Sequence, residues 1–121
     1  MTSNKKTTFK RNRRLYFNNV KCRLAFGKYF DGRKKLVLKE IGSDETIATA
    51  TINYAKDGVV HSKINREIVI KNWGVNDGIY QVLRDNEIIA KAIDKVPVGY
   101  NEAHVCELLI DPEEFENLDD E

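Results

Sequence analysis

LYFNNVKCRLAFGKYFDGRKKLVLKEIGSDETIATATINY, residues 15–54, decides the fold. Val20, Cys22, Leu24 and Phe26 alternate with Lys21, Arg23 and Ala25. This period of two is the signature of a half-buried strand, here with a basic outer face. Leu36 and Leu38 alternate with Lys35, Val37 and Lys39 in a return strand. Asn18-Asn19 suits a tight turn before the first of these strands. Asp31-Gly32 is a strong two-residue hairpin signal between them, because both residues tolerate positive φ. Gly42-Ser43-Asp44-Glu45 closes the return strand, and the β-branched run Thr46 to Tyr54 reads as one more. Residues 15–54 are thus expected to form a meander of about four antiparallel strands.

Working outward, residues 1–12 are polar and basic with one aromatic, Phe9, and are expected to be a disordered arm. Asp57-Gly58 marks a turn and 61–66 a loop, while Glu67 to Lys71 reads as a short strand. Ile79, Val82 and Leu83 fall at helical spacing, with Asn76 or Asp77 as cap and Asn86 as a left-handed end. Residues 88–93 fit either strand or helix. Pro97 and Gly99 suggest a loop, and Ala103 to Ile110 a last strand. Asp111-Pro112-Glu113-Glu114 has the form of a helix start. The expected class is α+β: an antiparallel meander with one main helix. The expected organisation is a basic arm (1–12), one domain (13–110) and a short acidic helix or tail (111–121).

Charge is sorted along the chain. Thirteen of the 20 Lys and Arg, but one of the 19 acids, lie in residues 1–39, so that this part carries +12 and the remainder −11. Folding alone does not require such polarity, which points to a partner surface. Lys5, Lys6, Lys10, Arg11, Arg13 and Arg14 form a basic arm, with Phe9, Tyr16 and Tyr29 nearby for base stacking. Lys21, Arg23, Lys34 and Lys35 are expected to extend the patch over one sheet face. The plain alternative is a solvated arm. Asp111, Glu113, Glu114, Glu116, Asp119, Asp120 and Glu121 place seven carboxylates in eleven residues. They form either a solvated tail or a segment that docks in a cationic groove.

Other chemistry is poorly supported. Cys22, His61, His104 and Cys106 lack the closely spaced ligand pairs of structural zinc sites, and the bland reading of the two cysteines is small buried apolar residues. His61-Ser62 stands in no nucleophile elbow, and no glycine-rich phosphate loop is present. No enzyme activity, metal or cofactor is expected. Neither a secretion signal nor a transmembrane run is visible, so the expected setting is the cytoplasm.

Three stretches, ATATINYAKDG (48–58), KNWGVNDGIYQVLRDNEII (71–89) and VPVGYNEAHVCELLI (96–110), carry a further signal. Together they resemble an uncharacterised family of small phage, plasmid and conjugative-element proteins, the domain of unknown function 4313. The matching residues are Asn76-Asp77-Gly78, Ile88-Ile89, Val96 to Tyr100 and Cys106-Glu107-Leu108. Asp77 and Val98 depart from the family's glutamate and serine. The resemblance covers the second half only and implies a mobile-element accessory protein of a bacterial host cell, with no catalytic residue to transfer. The leading expectation is therefore a non-enzymatic, anti-CRISPR-like inhibitor. It would bind a host nucleic-acid-directed defence complex such as a CRISPR effector nuclease. The alternative is an accessory protein that binds DNA or RNA directly through the basic arm.

Overall fold

The computed structural model describes residues 14–29, 32–53 and 67–117. The meander is present: β1 (Arg14–Phe17), β2 (Val20–Lys28), β3 (Lys34–Glu40) and β4 (Thr46–Thr49) pair in order, all antiparallel. Asn18 and Asn19 take φ of 53° and 67°, so the β1–β2 hairpin has a tight two-residue turn that asparagine tolerates. A second sheet contains β5 (Glu67–Ile70), β6 (Asp94–Val98) and β7 (Asn101–Glu107), with β7 in the middle. An antiparallel bridge between Thr51 and Ile70 joins the two sheets. α1 (Ile79–Asp85) is the one α-helix among the described residues.

The core lies between the inner faces of the sheets and α1. Cys22, Leu24 and Phe26 meet Leu36 and Leu38 there, with Ile68, Ile70, Cys106 and Leu108 from the second sheet. α1 has seven residues, too short to be stable alone. It is held by Ile79 and Leu83, both fully buried, each worth about 1.5–3 kcal/mol of transfer free energy.

Several details differ from the sequence expectation. Lys28 pairs with Lys34, so the β2–β3 connection is five residues long and is not the two-residue Asp31-Gly32 turn. Within it Gly32 takes a φ of 91° and Asp31 lies outside the described residues. Neither Asn76 nor Asp77 caps α1, whose N-cap is Gly78 in the left-handed region. Asn76 is buried instead, and its Nδ2 donates to the carbonyls of Thr49 (2.7 Å) and Lys71 (3.1 Å). A buried amide needs such partners, and this one ties the end of β4 to the end of β5. The left-handed residue after α1 is Glu87, at φ 59°, rather than Asn86. Residues 88–93 form no continuous strand or helix. Ile89 bridges Leu108, and the backbone N–H groups of Ala90 and Ile93 donate to Glu107 and Val105. Pro97 stands inside β6, an edge strand where its missing N–H is tolerated.

The largest departure is at the acidic end. Asp111 Oδ1 accepts from the Glu113 N–H, as a cap should, but the turn it starts is a three-residue 3-10 helix (Pro112–Glu114). Phe115 then enters the core, 4% exposed, and meets the Phe26 ring edge-on at 5.8 Å. β8 (Glu116–Asn117) pairs in parallel with β2. The fold therefore continues past residue 110, and through residue 117 the acidic segment is neither an α-helix nor a loose tail.

Candidate functional site

The outer face of the first sheet follows from its register. Arg14 stands opposite Arg23, which stands opposite Lys39; Tyr16 stands opposite Lys21, and Lys35 opposite Gly27. Directly opposed like charges repel. A row Arg14–Arg23–Lys39 therefore needs a counterion, and Asp44 supplies one. Asp44 sits at φ 62° in the turn after β3 and accepts a hydrogen bond from Arg23 Nη2 at 2.6 Å. That bond and the Arg23 charge, with a further contribution from Lys39, hold its carboxyl below the usual carboxylate range.

Tyr16 lies in the same cluster, 61% exposed, with Lys21 Nζ 5.8 Å from its ring centroid. Arg14 and Lys21 are exposed as well. Ala25 and Val37 occupy the middle of this face, yet they are buried. They divide it into one end with Arg14, Tyr16, Lys21, Arg23, Lys39 and Asp44, and another with Lys35. The first end combines four cations, one acid and one exposed aromatic ring. Such a set can hold an anion and offer a π surface beside it.

The expected site residues divide as follows. Lys5, Lys6, Lys10, Arg11 and Arg13 lie outside the described residues, as do Phe9, Asp119, Asp120 and Glu121. Arg14, Lys21 and Arg23 come together. Lys35 shares their face at its far end, 5.9 Å from the Tyr29 ring centroid. Lys34 does not share it, because neighbours on a strand point to opposite faces; it stands opposite Lys28. Tyr29 is not a free stacking surface either. It is half-buried, and its hydroxyl bonds to the carbonyl and hydroxyl oxygens of Thr51 at 3.1 and 3.0 Å. Lys39 and Asp44 are the members the sequence reading missed.

Asp111 and Glu113 are exposed beside Leu109, which is 51% exposed; Glu114 is half-buried. Glu116 holds the register position opposite Ala25. Of the cysteine–histidine set, His61 lies outside the described residues. Cys22 and Cys106 are free and fully buried, and burial pushes the Cys106 thiol up to about 12. His104 lies stacked on Tyr80, with ring centroids 4.5 Å apart. Among the described residues no group of three or more His, Cys, Asp and Glu is placed to hold a metal. No helix of the described residues is long and apolar enough to cross a membrane.

No family model, no curated protein and no solved structure matches this chain.

Proposed function

We propose that the protein binds a nucleic-acid phosphate backbone, without catalysis, through the outer face of its first sheet. The observation that carries this reading is the in-register row Arg14–Arg23–Lys39, flanked by Lys21, on a face where Asp44 is paired to Arg23. Phosphate oxygens are the natural partners of such a cation set, and displaced counterions would make the affinity strongly salt-dependent. The test is titration of labelled DNA and RNA oligonucleotides at 50–300 mM salt, on the order of the range where counterion release is visible. The double variant Arg14→Glu/Lys21→Glu is expected to weaken binding at least about tenfold. Its slope of log K against log salt is expected to be shallower by about 1.4 for a single strand, or 0.7 for each lost contact. Unchanged affinity and slope would remove the face from consideration.

A second reading is supported by the placement of the acidic segment. Phe115 anchors it, so that Asp111 and Glu113 are presented from a fixed position beside exposed Leu109. A mobile-element inhibitor of a nucleic-acid-guided nuclease in the bacterial cytoplasm would use such carboxylates against arginines that read or flank bound nucleic acid. Inhibition of target cleavage by a guide-loaded nuclease, lost on Asp111→Lys/Glu113→Lys and kept on Arg14→Glu/Lys21→Glu, would favour it. The opposite pattern would leave the phosphate-binding reading alone.

A further inference from the structure

We infer that the ligand of the basic face is single-stranded nucleic acid, with an unpaired base stacked on Tyr16. This rests on the reading of that face as a phosphate-binding surface and adds what it selects. Tyr16 is on β1, an edge strand that pairs only with β2 among the described residues. Its ring stands 61% exposed at the same end as the cations, two residues from Arg14 on the same side of the strand and opposite Lys21. Neighbouring strands are about 4.8 Å apart and alternate residues of one strand about 6.7 Å apart. Arg14 and Lys21 therefore flank the ring within about one nucleotide's reach. Both are exposed, whereas Arg23 and Lys39 already interact with Asp44. Lys21 Nζ lies over the ring, 5.8 Å from its centroid, so a base that stacks on that side takes its place and leaves the ammonium to meet a phosphate.

This arrangement suits an unpaired base. In a duplex the π faces of the bases are stacked inside and cannot meet an aromatic side chain. In a single strand they can, and base–aromatic stacking is sequence-tolerant. α1 also does not serve for groove reading: it has seven residues and buries Ile79 and Leu83 in the core. The interface patch is small, spanning three strands, so its footprint is a few nucleotides.

The test uses the full chain and three probes of equal length: oligo-dT, the corresponding dA·dT duplex, and an abasic phosphodeoxyribose oligomer. Fluorescence anisotropy is read at low and moderate salt. Oligo-dT is expected to bind at least about tenfold more tightly than the abasic oligomer, and more tightly than the duplex. Tyr16→Ala should remove most of that advantage while leaving the abasic probe within about twofold. Tyr16→Phe should restore it, because the ring and not the hydroxyl makes the stack. Circular dichroism of each variant excludes unfolding, which an exposed edge position is not expected to cause. Equal binding of duplex and single strand, or a Tyr16→Ala variant indistinguishable from wild type on oligo-dT, overturns the inference and leaves phosphate binding standing. Failure of all three probes to bind at low salt overturns both.

Discussion

Replacing Phe115 by alanine tests whether the acidic end belongs to the fold. Phe115 is 4% exposed and packs edge-on against Phe26, the seventh of the nine residues of β2. Truncating a buried phenylalanine costs about 3–5 kcal/mol, including the cavity left behind. The edge-to-face pair contributes about 0.5–1.5 kcal/mol of that beyond area burial. The lower end is expected here, because the two residues of β8 can shift and partly close the gap, which a central strand could not. A domain of this size has a stability of roughly 6–18 kcal/mol, so about 3 kcal/mol is a large fraction. With a urea m-value of about 1.5–2 kcal/mol/M, the midpoint should fall by about 1.5–2 M. Leu109→Ala is the control: Leu109 is 51% exposed on the same approach to β8 and should cost no more than about 1 kcal/mol. The readout is equilibrium urea unfolding followed by far-ultraviolet circular dichroism and Trp73 fluorescence. A Phe115→Ala midpoint within 0.3 M, or about 0.5 kcal/mol, of the Leu109→Ala midpoint would refute the reasoning. The acidic segment would then be an appendage.

His104 gives a pH prediction. Burial, and then Lys95, hold its pKa below the ordinary value, against a smaller opposing effect of Glu102. A base with a depressed folded pKa contributes its full stability above the unfolded value near 6.5 and loses it as pH falls below that. The urea midpoint should therefore drop between pH 7.5 and 5.5, and His104→Gln should flatten that drop. The thiols of Cys22 and Cys106 are raised by burial, that of Cys106 to about 12. Neither should react with a disulfide reagent at pH 8 until urea unfolds the chain. Asp44→Asn removes the internal counterion of the cation row and should tighten oligonucleotide binding several-fold at low salt, with the gain disappearing near 0.5 M, where charges are screened within a few ångströms. An unaltered affinity at low salt would mean that Asp44 does not compete with the ligand.

The strands were legible because β-branched and alternating residues at 20–26 and 36–38 leave little choice. The face they present was harder to read, and one register explains why. A two-residue turn at Asp31-Gly32 would set Lys35 against Lys28 and place Lys34 on the same face as Lys21 and Arg23. The observed register is shifted by one, with Lys34 against Lys28 and Lys35 against Gly27. Such a slip turns every side chain of the return strand over. The hydrophobic pattern already excluded the two-residue turn: Leu24 and Phe26 share the core with Leu36 and Leu38 in the observed register and would not in one slipped by a single residue. Burial of four large side chains outweighs the preference of one turn dipeptide. Reading that first would have exchanged Lys34 for Lys39. The place of Phe115 had no comparable local signal. One aromatic among acids reads as a tail, and its parallel pairing with a strand some ninety residues earlier leaves no periodicity behind.

That pairing also changes what the charge polarity means. β1 and β8 lie along the same edge of β2, Arg14 opposite Arg23 and Glu116 opposite Ala25. Where the basic segment joins the fold and where the acidic one joins it are thus two register positions apart, about 6.7 Å. This is less than the screening length of about 8 Å at physiological salt. With −11 on residues 40–121, the +12 on residues 1–39 is nearly cancelled at long range, so that steering of a distant polyanion is weaker than +12 alone would suggest. Recognition then depends on contact. A strand laid on Tyr16, Arg14 and Lys21 meets the Asp44 carboxylate beside Arg23 on one side and the buried pair Ala25 and Val37 on the other. Both neighbours shorten the run of phosphates the face can take. A short, contact-dependent footprint follows, and with it a preference for a ligand that brings a stacking base as well as charge.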